Sequence, residues 1–348
     1  MHLSFGTNRF DFLDPKKFIE SCQRTEKAGF DHLWFPDSQL YTGDAFVNLL
    51  VAGQNTEKAT IGTLIVNPVT RHPSVIAGSI AGVDAYAPGR FILGIAAGDT
   101  AVFQVGLKPA RLAEMEHGIR MMRDLLAGKA VELGWTRPSR LDAPRFVPVV
   151  VAGGGPKMMQ MAGRCADGVV MRVGADAELI QWAYDEFRAG AVAAGRDPDS
   201  LFVNVHFHTV MTDDPELANA RGRVMAAGYY EVNRLLWDRI GLKWPCAPIK
   251  EILKTVWPDF HHAHDMELAA RMVAEIPVEI ARRFFLMGSA KDGRAQLERL
   301  AGANSLDAQR HLAAEHARSG VRRRMRPRHH PGVPLISYPC QIFRYGGR

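Results

Sequence analysis

Short apolar runs without charge alternate along the chain with longer stretches whose apolar residues fall at helical spacing. Residues 59–73, Ala-Thr-Ile-Gly-Thr-Leu-Ile-Val-Asn-Pro-Val-Thr-Arg-His-Pro, show the repeating unit most clearly. Positions 60–66 are β-branched and aliphatic, a pattern that predicts a strand buried on both faces. Asn67-Pro68 stops that strand, and Pro73 suits the first turn of a helix, where a missing N–H costs no hydrogen bond. The same reading predicts further strands at 3–7, 32–36, 90–95, 147–152, 168–173 and 201–211. Between them it predicts helices at 15–28, 45–56, 75–86, 110–126, 156–164 and 177–194, with a last one at 290–300. Asp14 should cap the first helix and Gly29 should stop it. Residues 130–147 are proline-rich and irregular.

Seven strand–helix units imply an α/β fold with a parallel sheet and right-handed crossovers, and point to an eight-stranded (β/α)8 TIM barrel. Residues 214–287 break the rhythm. They read as a largely helical insertion before the last strand, lying over the C-terminal mouth. The barrel is expected over 1–302, followed by an atypical basic tail over 303–348. The eighth strand is therefore expected to be atypical or missing, and 333–338 is the only later segment of strand character.

Composition narrows the picture. The hydrophobic fraction of 47% suits a globular chain with a sizeable core. No apolar run approaches the ~18–20 residues of a membrane span, and Met1-His-Leu-Ser-Phe-Gly does not open like a secretory signal. Cys22, Cys165, Cys246 and Cys340 are scattered, which suggests reduced thiols in a cytoplasm rather than a zinc site or a disulfide framework. The net charge of +6 is local: residues 303–348 hold nine arginines against Asp307 and Glu315. The first 302 residues carry 34 basic and 35 acidic side chains, so no nucleic-acid partner is expected for the body. The tail reads as divergent, or as the product of a shifted reading frame.

In a barrel of this kind chemistry gathers at the C-terminal ends of the strands. The candidates are Asp37 and Ser38, Asn67, Gly98 and Asp99, Gly153 to Gly155, Arg172 to Gly174, and His206 or His208. Gly153-Gly154-Gly155-Pro156-Lys157 lets backbone approach a ligand, and the helix that Pro156 opens favours an anion. Arg172 could supply a charged partner. Asp99 could hold a flat ligand or move a proton, or simply cap the next helix. His261, His262 and His264 lack the spacing of a metal face, so no metal is expected. Arg71-His72 reads as structural, fixing the loop below the third strand.

Four stretches then carry a resemblance. They are Glu26-Lys-Ala-Gly-Phe-Asp with Trp34-Phe-Pro-Asp-Ser38, Val66-Asn-Pro-Val-Thr-Arg-His-Pro73, Gly89-Arg-Phe-Ile-Leu-Gly-Ile-Ala-Ala-Gly-Asp99, and Val151-Ala-Gly-Gly-Gly-Pro-Lys with Ala166-Asp-Gly-Val-Val170. With these motifs the chain resembles the luciferase-like monooxygenase superfamily, in its branch of coenzyme F420-dependent oxidoreductases. The resemblance implies an oxidoreductase that moves a hydride between F420 and a small organic substrate. The alternatives are an FMN-dependent monooxygenase and a non-catalytic ligand-binding barrel. It implies cofactor contacts at Ser38, Leu64, Ile65, Asn67, Gly98, Gly153, Gly154, Gly155, Arg172, Val173 and Gly174, with Asp37 and Asp99 as catalytic carboxylates. It also implies a non-proline cis peptide at Leu64–Ile65 behind the ring, and a homodimer formed through helices beside the second and third strands. The family carries a histidine or a glutamate in some members where this chain has Ser38 and Asp99, which leaves the proton donor open.

Overall fold

Runs such as His-Leu-Trp-Phe, Phe-Ile-Leu-Gly-Ile and Val-Val-Val-Ala-Gly leave no polar face, so they are stable only as strands covered on both sides. The structure, a computed structural model, describes residues 3–7, 10–303 and 340–344; the expected strand at 333–338 lies outside them. The chain divides into two units, one within 2–171, 185–204 and 341–348, the other within 172–184 and 205–340.

In the first unit, β1 (Leu3–Thr7), β2 (His32–Phe35), β3 (Thr60–Thr63), β4 (Phe91–Ile95), β5 (Val149–Gly153) and β6 (Gly168–Met171) pair in chain order. Every one of these pairings is parallel. The connections run through α1 (Pro15–Lys27), α2 (Ala45–Asn55), α3 (Pro73–Asp84), α4 (Thr100–Phe103), α5 (Leu112–Leu126) and α6 (Pro156–Cys165). Asp14 caps α1 by accepting from the Lys16 and Lys17 N–H groups, as the sequence predicts. Leu33, Trp34, Phe35, Leu93, Ile95, Val149, Val150 and Val151 are all fully buried. Each such side chain contributes about 1.5–3 kcal/mol through removal from water.

Two close fits set the register of this sheet. A Cβ at Gly94 would lie 2.1 Å from the Thr63 carbonyl oxygen. Thr63 Oγ1 donates to Gly94 O at 2.8 Å and accepts from Gly94 N at 2.8 Å, which ties β3 to β4 through a side chain. The sequence predicts β3 to reach Val66, but the strand ends at Thr63. A cis peptide between Leu64 and Ile65, the expected bond, follows it. Val66 then regains a bridge to Ile95. Trp34, Ile92, Val150, Val170 and Phe202 form an interior cluster, with Leu64 and Ala152 packed on it and still partly open.

α7 (Ala177–Ala193) and β7 (Phe202–Met211) run across the division between the units. The second unit continues with α8 (Pro215–Val232), α9 (Arg234–Arg239), α10 (Ile249–Ile252), α11 (Met266–Met272) and α12 (Val278–Phe284). This is the helical stretch expected over 214–287, but it ends three residues early. Phe285–Gly288 is a strand, β8, parallel to β7 with His208 opposite Phe285. α13 (Ala290–Ala303) follows. No parallel strand follows α13 among the described residues. Instead β9 (Cys340–Arg344) runs antiparallel to β1, with Leu3 opposite Arg344. The atypical end of the barrel expected from the sequence takes that form.

Candidate functional site

Parallel register brings the C-terminal strand ends of the first unit level with one another. Phe35 pairs with Thr63, Val66 bridges to Ile95, Ile95 pairs with Val151, and Gly153 with Met171. Asp37, Ser38, Leu64, Ile65, Asn67, Gly98, Asp99 and Gly153 to Gly155 therefore share one edge. Leu64 and Ile65 are only half-buried. They form a partly open apolar floor, and Leu64 packs on the Trp34 cluster.

The polar residues along this edge are held firmly. Asp37 is 3% exposed, and Arg71 grips it with two bonds, Nε to Oδ2 at 3.2 Å and Nη2 to Oδ1 at 3.1 Å. The same Nη2 reaches Asp44 Oδ2 at 3.0 Å, at the cap of α2. Arg71 is thus structural, but its bonds run to the loop after β2 and the cap of α2 rather than to its own loop. Ser38 is half-buried, and its carbonyl accepts from the Tyr41 and Thr42 N–H groups. Asn67 is buried, and its Oδ1 takes the N–H groups of Val69 and Thr70 and the Thr70 hydroxyl. Asp99 is exposed and caps α4, accepting from Thr100 N at 2.6 Å.

Glycine is required at 98, where φ is +102° and a Cβ would lie 2.4 Å from Val102 Cγ2. At Gly153 a Cβ would meet Met158 Cγ at 2.7 Å. At Gly155, which precedes Pro156 at the start of α6, a Cβ would meet nothing within 4 Å. Backbone N–H groups beside open space at a helix start can receive an anion. The edge therefore offers an apolar floor beside an anion-receiving turn, which suits a ring that carries a phosphate.

The other predicted residues lie in the second unit. Val173 is fully buried, and Gly174, with φ +88°, lies against Phe284. Arg172 places Nη2 3.5 Å from His261 Nδ1, and its guanidinium lies 5.9 Å from the Tyr229 ring centre. His206 and His208 share one face of β7, their ring centres 4.9 Å apart. His208 stacks on His261 at 5.2 Å, and its Nδ1 is 3.3 Å from the Tyr229 hydroxyl. Burial, aided by Arg172, lowers the His206 pKa to about 3. Burial likewise holds His208 and His261 well below the ordinary histidine value. Tyr229 and His261 escape a sequence reading; the one signal was the run His261-His262, which metal spacing alone does not interpret. Among the described residues no group of three His, Cys, Asp or Glu side chains could hold a metal ion.

The profile of the family described as luciferase-like monooxygenase matches residues 6–306. The chain belongs to that family. This luciferase-like protein is 30% identical over 218 residues to 5,10-methylenetetrahydromethanopterin reductase of Methanolobus tindarius, covering 61% of this chain and 66% of that enzyme. It is 30% identical over 234 residues to F420-dependent glucose-6-phosphate dehydrogenase of Mycolicibacterium smegmatis, covering 61% of this chain and 70% of the dehydrogenase. Its fold matches the coenzyme F420-dependent tetrahydromethanopterin reductase of Methanopyrus kandleri with a TM-score of 0.72 and 22% identity, over 87% of this chain and 91% of that one. The luciferase-like protein therefore has the TIM-barrel fold expected from its strand–helix alternation. Among the described residues no helix is long and apolar enough to cross a membrane.

Proposed function

We propose that this protein is an oxidoreductase that transfers a hydride between coenzyme F420 and a small organic substrate. The observation that carries the reading is its likeness to two enzymes that act on different substrates, one of them named for F420 and both matched at 30% identity. The residues present fit such a group. Leu64 and Ile65 leave an open apolar floor, and Gly155 leaves room at the start of α6. When bound, the deazaflavin supplies a two-electron hydride donor or acceptor. The chain's own residues do the rest. Leu64 and Ile65 support the ring face and exclude water from it. The N–H groups at Gly153 to Gly155 would hold the phosphate end, and Ser38, Asn67 and Gly98 would border the ring.

Asp37 and Asp99 are the proposed carboxylates, in unequal roles. Arg71 engages both oxygens of Asp37, which suits holding a fixed dipole near the ring. Asp99 commits Oδ1 to Thr100 N and is exposed, so it is the freer group to hold or pass a proton. A cytoplasmic enzyme is proposed as well, forming a homodimer beside β2 and β3, where Leu40, Tyr41 and Val47 expose apolar surface.

Fluorescence titration of the purified chain with F420 and with FMN tests the reading. Saturable binding of F420 at least tenfold tighter than FMN is the expected result. The reverse preference would make the protein a flavin monooxygenase. Tight binding of neither would make it a ligand-binding barrel.

A further inference from the structure

Residues 257–264 form a small closed loop that lies wholly within the second unit. His264 N donates to Trp257 O at 3.0 Å, which joins the two ends of the loop. Phe260 and Ala263 are buried beneath it, and Phe260 N donates to Glu231 Oε2 at 3.1 Å. Asp259 accepts from the backbone N–H of His262 at 2.9 Å and meets its ring Nδ1 at 2.9 Å. Trp257 and His262 are exposed. His261 turns the other way. Its Nδ1 lies 3.5 Å from Arg172 Nη2, and its ring stacks on that of His208 at 5.2 Å and 19°. The Tyr229 ring meets it edge-on at 5.8 Å.

That placement leaves no room for a charged His261. Arg172 can only donate, so Nδ1 accepts and the single ring proton sits on Nε2. Nε2 points at Gly228 of α8, where a Cβ would lie 2.6 Å away. It is buried with no hydrogen-bond partner among the described residues. A second ring proton would set a cation against a guanidinium and find no acceptor. Burial lowers the pKa of His261 well below its ordinary value, and Arg172 lowers it further. Burial does the same to His208, with His206, Arg172 and His261 adding to it. Yet His208 and His261 are each only half-buried as whole residues. A short outward movement of the loop therefore returns both rings to water.

We infer that the 257–264 loop is an acid-released strap: neutral His261 lets it close over His208 and Arg172, and protonation of His261 drives it off. The strap stands whether or not F420 binds. Both folded pKa values lie below the ordinary one, so the closure is fully present above about pH 6.5 and is lost as pH falls. Each imidazole released to water favours the open loop about tenfold per pH unit in that range. His261 and His208 together give at most about a hundredfold per unit. The other groups facing the strap do not mimic this. Arg172 stays charged, and burial raises the Tyr229 pKa further from the range. Burial holds His206 at about 3, so it stays neutral. Burial opposes the charge of Asp259, but His262 prevails and keeps its pKa below the ordinary value. Glu231 acts in the opposite sense. Burial raises its pKa, so its protonation favours the closed loop at lower pH, and a test should stay above about pH 5.5.

Hydrogen exchange of the full chain without cofactor reads the opening, followed by mass spectrometry on peptides spanning 257–264. Rates are corrected for the intrinsic pH dependence of exchange. The loop's opening constant should be nearly flat between about pH 8 and 7, then rise at least tenfold per unit between about 6.5 and 5.5. Peptides from β7 and β8 should stay protected over the same range. His261→Phe keeps a ring to stack on His208 but cannot titrate, so it should remove about tenfold of the rise per unit. His261→Gln, whose amide oxygen can accept from Arg172, serves the same end if the phenylalanine variant does not fold. Far-UV dichroism at neutral pH reports folding. Loop exchange that does not rise below about pH 6.5 overturns the strap. So does a rise shared equally by β7 and β8, or one unchanged in a folded His261 variant. Failure of F420 to bind leaves this result intact.

Discussion

Arg71 governs the local chemistry of the strand ends because two carboxylates depend on it. Asp37 is almost wholly buried, and its ion pair with Arg71 is bidentate. Removing one partner of a buried pair leaves an uncompensated charge. Arg71→Leu should therefore lower stability by about 3–5 kcal/mol. Arg71→Lys should cost less but lose the fork geometry. Urea denaturation midpoints with matched slopes measure both, and a loss under about 1 kcal/mol for the leucine variant would show that the pair contributes little. Glu26 offers a pH prediction. Its carboxylate accepts from the N–H groups of Glu57, Lys58 and Ala59. Burial opposes its charged form, but these three bonds prevail and hold its pKa below the ordinary value of 4.5. A lowered folded pKa contributes stability above the unfolded pKa, and that stability is lost as pH falls through the folded value. Melting temperatures between about pH 5 and 3 should fall less steeply in Glu26→Gln than in the wild type, and parallel curves would contradict this. At this scale legibility follows sequence distance. Asp14 is a readable cap because its partners are two and three residues away. The Arg71–Asp37 pair and the Arg172–His261 contact span 34 and 89 residues, and nothing local announces them.

Strands and helices were legible where burial leaves no choice of face. β2, β4, β5 and β6 fall within a residue or two of the apolar runs that predict them. The apolar run predicts β3 three residues too long, because Leu64 to Val66 stay apolar after the regular ladder stops. α4 is not predicted, since the four residues after Gly98-Asp99 look like loop until Asp99 caps them. β8 was hidden at the end of a helical stretch: Phe285-Leu286-Met287 suits either state, and only pairing with β7 decides it. Glycines give the sharpest test of the elements. Gly94→Ala would push a Cβ into the Thr63 carbonyl of the adjacent strand, so it should destabilise by about 3 kcal/mol or more. Gly155→Ala meets open space, so stability should change by no more than about 0.5 kcal/mol. The same alanine would occupy the proposed phosphate turn, so F420 affinity should fall by about tenfold or more while folding is unchanged. Unaltered affinity would move the phosphate away from α6.

Over the whole chain, the alternation of strand and helix is enough to name a parallel barrel, and the likeness of fold to the tetrahydromethanopterin reductase agrees with it. The end was legible only as a departure from the pattern. Residues 303–348 carry nine arginines and no repeat of the βα unit, and β9 joins β1 in the antiparallel sense. The proposed seat of the ring depends on a feature that no composition or spacing reveals: a partly open apolar floor at Leu64 and Ile65 beside the glycine turn before α6. The most direct measurement is a crystal structure of the protein with F420 bound. The account predicts density for the deazaflavin ring resting on Leu64 and Ile65, with the phosphate at the N–H groups of Gly153 to Gly155. Ring density seated elsewhere, with those two side chains left bare, would contradict it.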